Sequence, residues 1–170
     1  MAVAARTDRS GAGRLGGYVR AALVLALVLV ADQVTKHAVE SGIAPGQVRN
    51  VIPGVVKLVD VRNTGVAFSF FSGGGTIVLV ITALALTALV GYFVVRPGRR
   101  MLWLPTGLLL GGAIGNLIDR VRDSAVTDFI KLPHWPAFNV ADTAITVGVL
   151  ALLYTIETGS RRGGRGAADD

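Results

Sequence analysis

Ala21-Ala22-Leu23-Val24-Leu25-Ala26-Leu27-Val28-Leu29-Val30-Ala31, followed at once by Asp32-Gln33-Val34-Thr35-Lys36, is the stretch on which the fold turns. The apolar run shows no amphipathic period, and with its flanks (about 17–37) it reaches the length that spans a bilayer, about 20 residues. Three further blocks repeat the pattern, at about 76–95, 101–118 and 140–156. The chain of 170 residues is 52% hydrophobic and 16% charged, with a mean hydropathy of +0.59. A soluble domain carries more charge, roughly a quarter of its residues. These features predict an all-α membrane protein with four transmembrane helices and one membrane domain over 17–158. Disordered tails at 1–16 and 159–170 are expected from their Gly, Ala and Arg content.

A cleaved signal peptide is the rival reading of the first block, because basic residues precede an apolar core of h-region length. No small-x-small cleavage site follows it, and a retained span is expected. The chain has no cysteine, which excludes a thiol nucleophile, disulfides and cysteine metal ligation.

The net charge of +6 could suggest nucleic acid, but its distribution argues for topology. Arg6, Arg9, Arg14 and Arg20 precede the apolar run of the first block (Ala21–Ala31). Arg96, Arg99 and Arg100 separate the second from the third, and Arg161, Arg162 and Arg165 follow the fourth. The positive-inside rule places these segments in the cytoplasm. Both termini are then cytoplasmic, and the longer loops (about 38–75 and 119–139) face outward. No basic patch interleaved with aromatics argues for nucleic acid.

Within the first outward loop, residues 42–72 are β-rich. Val48, Val51 and Ile52, then Val55-Val56-Lys57-Leu58-Val59-Asp60-Val61, are runs broken by Pro53-Gly54, and Asn63-Thr64-Gly65 marks a turn. They predict a small sheet on the outer membrane face, since an open sheet edge is not tolerated in hydrocarbon. In the third block Gly107, Gly111 and Gly115 repeat a GxxxG spacing, joined by Gly112, that lets another helix approach closely.

Polar residues gather at the outward ends of the blocks. Asp32 and Lys36 are four apart on one helix face and can pair, as a helix-end anchor or as part of a site. Asn116 and Arg120 are likewise four apart with Asp119 beside them, and Arg120 could equally snorkel to headgroups. Asn139-x-x-Asp142 has the form of a helix N-cap with an acid in the first turn. Asp128, in Val126-Thr127-Asp128-Phe129-Ile130, has no helix start to explain it. An ionisable group at membrane level is a functional-site candidate, and Asp128 and Asp142 together suggest two carboxyls sharing a proton. His37 and His134 lack ligand partners, so no metal and no cofactor is expected.

Five stretches form one constellation. They are Asp32-Gln33-Val34-Thr35-Lys36; Asn63-Thr64-Gly65-Val66-Ala67-Phe68-Ser69; Gly111-Gly112-Ala113-Ile114-Gly115-Asn116-Leu117-Ile118-Asp119-Arg120; Val126-Thr127-Asp128-Phe129-Ile130; and Trp135-Pro136-Ala137-Phe138-Asn139-Val140-Ala141-Asp142. In this order, over about 30–145, they resemble one family, the lipoprotein signal peptidases or signal peptidase II. The resemblance implies a four-helix aspartyl endopeptidase of the bacterial inner membrane with its active site at the outer face. It would cut diacylglyceryl-modified prolipoproteins just before the lipidated cysteine. Asp128 and Asp142 match the catalytic pair. Asn63, Gly65, Asn116, Arg120 and Asn139 match substrate-side polar positions, with Asp32 and Lys36 as support. Implied partners are lipidated precursors, membrane lipids and globomycin-like inhibitors, with no nucleic acid and a monomeric state.

Of the two carboxyls, Asp142 is the expected base, because the positive end of the fourth helix favours its charge. The rival function is a small ion- or proton-coupled transporter using the acids as a relay. That rival predicts polar residues along the depth of the spans and often an internal repeat. The interiors of the second, third and fourth blocks are almost wholly apolar, and they show no repeat.

Overall fold

The computed structural model describes residues 2–44, 46–64, 74–95 and 101–165, with side chains described at 13–44, 46–64, 84, 86–95 and 101–158. Among these, four helices and three strands follow in the order α1 (Ala2–Gly42), β1 (Val48–Ile52), β2 (Val56–Asn63), α2 (Gly74–Val95), α3 (Trp103–Asp123), β3 (Val126–Lys131) and α4 (Val140–Arg165). Two stretches, Gly13–Gly42 and Val140–Thr158, are long and apolar enough to cross a membrane, and Leu86–Val95 is a shorter apolar segment.

Helix continues from Ala2 in α1 and to Arg165 in α4, into stretches where composition argues for disordered tails. Ala and Arg are among the better helix formers, and extending an existing helix avoids the cost of a new nucleus.

α3 is the centre of the bundle, and its glycines are why. A Cβ on Gly107 would lie 2.7 Å from the carbonyl oxygen of Ala21; on Gly111, 2.9 Å from that of Leu25; on Gly115, 2.6 Å from Asp32 Oδ2. The repeated GxxxG face therefore packs directly on the α1 backbone, and the two helices run parallel. Gly112 opens the neighbouring face, where a Cβ would stand 2.5 Å from the carbonyl oxygen of Ala141 on α4.

The two ends of the bundle differ in chemistry. At one end Ala21, Phe93 and Leu102 form an apolar cluster with Tyr92, Trp103 and Leu152. Tyr18 meets the edge of Phe93 at 5.3 Å, and Arg20 stands over Trp103. Along the outside, Leu23, Leu27, Val30 and Val34 of α1 and Leu150 and Leu153 of α4 are each 59–70% exposed. Such faces suit a hydrocarbon solvent. At the other end the buried groups turn polar.

The strands form one antiparallel sheet, β1-β2-β3. Val55 N donates to the Ile52 carbonyl across Pro53-Gly54, and Gly54 has φ +76°. Proline then glycine at the central positions is the signature of a type II turn, so the first two strands and their break lie where the sequence places them. β3 is an addition that the sequence reading does not contain. The loop expected over 119–139 is largely ordered structure. α3 runs on through Asp119 and Arg120 to Asp123, where Ser124 (φ 54°) caps it with its N–H on the Arg120 carbonyl. Val39 and Ile43 of α1 pack with Phe129 of β3 beneath the sheet, fixing it over the polar end of the bundle.

Candidate active site

Asp128 sits in the middle of β3, opposite Val61 of β2. Asn63, two residues on, shares that face and reaches diagonally across, donating from Nδ2 to Asp128 Oδ2 at 2.9 Å. Alternation turns Thr127 the other way, where its hydroxyl donates to Glu40 Oε1 at 2.6 Å.

Asn139 is brought beside Asp128 by the backbone. The N–H groups of Phe129 and Ile130 both donate to the Phe138 carbonyl, and Phe138 N–H returns a bond to Ile130. This clasp closes the loop 132–138 against β3 and starts α4 next to it.

α4 opens with a reciprocal cap. Asn139 Oδ1 accepts from Asp142 N–H at 2.8 Å, and Asp142 Oδ2 accepts from Asn139 N–H at 3.4 Å. Two of the helix's orphan donors are satisfied this way. A third, Ala141 N–H, donates to Asp32 Oδ1 at 2.9 Å. The capping geometry read from the sequence is present, and it serves more than the helix. The same Asn139 side chain donates from Nδ2 to Asp128 Oδ1 at 2.8 Å and to Asn116 Oδ1 at 3.2 Å. One asparagine thus binds the Asp142 backbone with its oxygen and the Asp128 carboxyl with its nitrogen.

Asn116 completes the frame. Its Nδ2 donates to Asp142 Oδ1 at 2.8 Å, and its Oδ1 accepts from Lys36 Nζ at 2.9 Å. Lys36 is also paired with Asp32 Oδ2 and Asp119 Oδ2, each at 2.7 Å. Gln33 donates to Asp119 Oδ1 at 3.0 Å. Asp32, Lys36, Asn116, Asp119, Asp128 and Asn139 are all buried, each at 6% exposure or less; Asp142 is half-buried.

The two carboxyls have unlike surroundings. Burial pushes the Asp128 carboxyl up from 3.8 to about 6. The Asn63 hydrogen bond opposes this, the charge of Asp142 adds to it, and the Asn139 bond and Lys36 charge pull it back. Asp142 stands in the first turn of α4, where a negative charge is favoured by the helix dipole.

Of the residues singled out in the sequence, Asp32, Lys36, Asn63, Asn116, Asp128, Asn139 and Asp142 converge in this network. Arg120 does not: it is exposed and donates from Nη1 to the Asn116 carbonyl on its own helix at 3.1 Å. Gly65 lies outside the described residues. Sequence reasoning missed Gln33, Glu40 and Thr127. Glu40 continues the Asp32–Lys36 face by four residues, and it joins Arg62 at 3.5 Å and Arg122 at 3.7 Å. That spacing is the signal that could have found it.

Residues 24–157 match the family model described as signal peptidase (SPase) II. A lipoprotein signal peptidase of Pelotomaculum thermopropionicum is 38% identical over 135 residues, covering 79% of this chain and 89% of the relative. One from Oleidesulfovibrio alaskensis is 43% identical over 143 residues, covering 74% and 86%. A bacterial membrane enzyme solved at 1.9 Å by the in meso method superposes with a TM-score of 0.73 at 34% identity, covering 80% of this chain and 91% of that one. A second, at 2.3 Å, gives 0.72 at 33% identity, with 82% and 88% covered. The chain belongs to the signal peptidase II family. It is a protease of lipoprotein processing and a membrane protein.

Proposed function

We propose that this protein is an aspartyl endopeptidase that removes signal peptides from diacylglyceryl-modified prolipoproteins, cutting just before the lipidated cysteine. The observation that carries the reading is the bridging of Asp128 and Asp142 by one buried asparagine, with Asp128 pushed up to about 6. Two neighbouring carboxyls held in unlike environments divide into an acid and a base.

In the proposed reaction Asp142 takes a proton from a water whose oxygen attacks the scissile carbonyl carbon, and Asp128 passes its proton to the carbonyl oxygen. The tetrahedral diol then collapses. One hydroxyl proton returns to Asp128, the proton on Asp142 goes to the leaving nitrogen, and the C–N bond breaks. The signal peptide leaves as a carboxylic acid and the cysteine as a free amine, and the pair regains its starting protonation. Asn63, Asn116 and Asn139 hold the carboxyls. Arg120 and Gly65 are proposed contacts for the extended substrate backbone.

The placement in the membrane belongs to the same proposal. A single domain over 17–158 crosses the inner membrane four times, with both Arg-rich termini cytoplasmic. The site then stands at the outer face, where water meets the lipid that anchors the substrate. A monomer suffices, and globomycin-like compounds occupy the same place. α1 and α3 run in one direction and α4 in the other, and this, with the polar character of one bundle end, supports the arrangement. A transporter is disfavoured because, among the described residues, every buried ionisable group gathers at that end and only the hydroxyls of Thr106 and Thr155 are buried further along the helices.

The test is incubation of purified protein with a diacylglyceryl-modified precursor and with its unlipidated twin. Only the first should be cut. Asp128→Asn and Asp142→Asn should each abolish cleavage while leaving a folded protein, and substantial turnover by either would sink the aspartyl mechanism.

A further inference from the structure

Lys36 is 3% exposed, and each of its three N–H groups has a partner: Asp32 Oδ2, Asp119 Oδ2 and Asn116 Oδ1. Two carboxylates are enough to hold a buried ammonium between helices. The third bond, to a neutral amide, is not needed for that task, and it points toward the candidate site.

An amide is not symmetric: its oxygen accepts and its nitrogen donates. Asn116 Oδ1 faces two donors, Lys36 Nζ at 2.9 Å and Asn139 Nδ2 at 3.2 Å. Its nitrogen is left facing Asp142 Oδ1 at 2.8 Å. Flipped by half a turn, Asn116 would set its NH2 group against an ammonium and a second NH2, and its oxygen against a carboxylate. The bond from the ammonium is charge-assisted and the stronger of the two that forbid this. The same ion pair reaches Asp142 from a second side, because Asp32 Oδ1 holds the N–H of Ala141, its chain neighbour.

We infer that Lys36 is a positioning residue for peptide cleavage: it fixes the Asn116 amide so that its N–H holds Asp142 Oδ1, and so sets where that carboxylate stands. This goes beyond an ion pair that anchors a helix end, and it rests on the role proposed above for Asp142.

The experiment is a double-mutant cycle. Lys36→Met combined with Asp119→Asn keeps the net buried charge constant, and is made in the wild type and in Asn116→Ala. Melting temperature, KM and single-turnover rate constant are measured with the lipid-modified precursor. In the wild-type background the rate should fall about tenfold or more while KM stays within about twofold. In the Asn116→Ala background the same change should cost less than about twofold in rate, because the group it acts through is gone. The melting temperature should fall in both backgrounds.

An equal loss of rate in both backgrounds, or a lower melting temperature with an unchanged rate, overturns the inference. Should the paired variant fail to fold, Lys36→Arg keeps the charge but replaces the compact ammonium with a planar fork, and the same two results decide. Turnover by Asp142→Asn would instead overturn the reading beneath the inference, in a protein where Lys36 and Asn116 are untouched.

Discussion

Asn139 is fully buried and belongs at once to the fold, through the α4 cap, and to the candidate site, through Asp128; two substitutions separate these roles. Serine at 139 can still accept from the Asp142 N–H as an N-cap but is too short to reach the Asp128 carboxyl. Alanine can do neither. Both leave Asp128 Oδ1 without the donor now 2.8 Å away, a loss of about 1–3 kcal/mol for a buried acceptor. Alanine also forfeits the cap, about 1 kcal/mol more. Asn139→Ser should therefore destabilise by about 1–3 kcal/mol and Asn139→Ala by about 2–4 kcal/mol. On cleavage the two should look alike. A hydrogen bond to an ionisable carboxyl is worth about 1.5–3 kcal/mol, which in kcat is about 10- to 150-fold. Thermal unfolding in detergent and initial rates on a lipid-modified precursor measure the two effects separately. Equal melting temperatures for Ser and Ala would refute the capping argument. Wild-type kcat in Asn139→Ser would refute the claim that the bridge to Asp128 matters for chemistry.

The raised Asp128 carboxyl has a sign that can be checked. Its folded value of about 6 lies above the ordinary 3.8, so the folded state holds a proton that the unfolded chain releases. Stability should fall as pH rises from about 4 to about 6, and Asp128→Asn should flatten that slope in pH-dependent melts. Infrared titration of the carboxyl should place it lower in Asp142→Asn, which removes a like charge, and higher in Asn63→Ala, which removes a donor. Gly115→Ala would set a methyl where a Cβ lies 2.6 Å from Asp32 Oδ2; a loss of about 1–3 kcal/mol is expected from overpacking, with unfolding in detergent as the measure. Glu40→Gln, which removes the charge facing the half-exposed Arg62 and Arg122 while keeping an amide oxygen for the Thr127 hydroxyl, should cost less than about 1 kcal/mol, and raising the salt concentration should erase most of the difference.

The sequence carried the helices well because their apolar blocks are long, and it carried β1 and β2 because Pro53-Gly54 punctuates them. β3 was illegible for a physical reason. Val126 to Phe129 are all buried, so the strand shows no alternation between an apolar and a polar face, and a short run buried on both sides has no period to read. The ends of α3 and of the apolar blocks were misjudged for a related reason. Hydropathy measures where lipid ends, whereas a helix continues until its backbone is capped, as at Ser124.

The candidate site was legible as a set of residue types at one membrane level and illegible as a wiring plan. Asp32 and Lys36 read locally as a pair four residues apart, and they are one. Nothing in their spacing announces that the pair also takes Asp119 from α3 and the first-turn amide of α4. Arg120 shows the converse: a motif position does not guarantee an inward side chain, and here the guanidinium stays with its own helix.

The unlike mounting of the two carboxyls gives the proposed division of labour a cause in the fold. Asp128 is carried by a strand buried on both faces, so its surroundings offer little solvent to a charge, and burial is the largest influence on it. Asp142 is carried by the first turn of a helix, half-exposed, with N–H donors on both oxygens. A strand interior penalises charge and a helix start favours it. Placing one carboxyl on each, with Asn139 between them, gives the two unlike surroundings, which Asn63 and Lys36 adjust further at Asp128. Exchanging the environments, more than deleting either acid, is what would test this: a polar opening beside Asp128, made by Val126→Ser two residues away on the same strand, where Val126 is 2% exposed, should admit water and lower the Asp128 titration toward 4. An unchanged titration in Val126→Ser, with water access verified by hydrogen exchange, would mean that burial on the strand is not what holds the proton there.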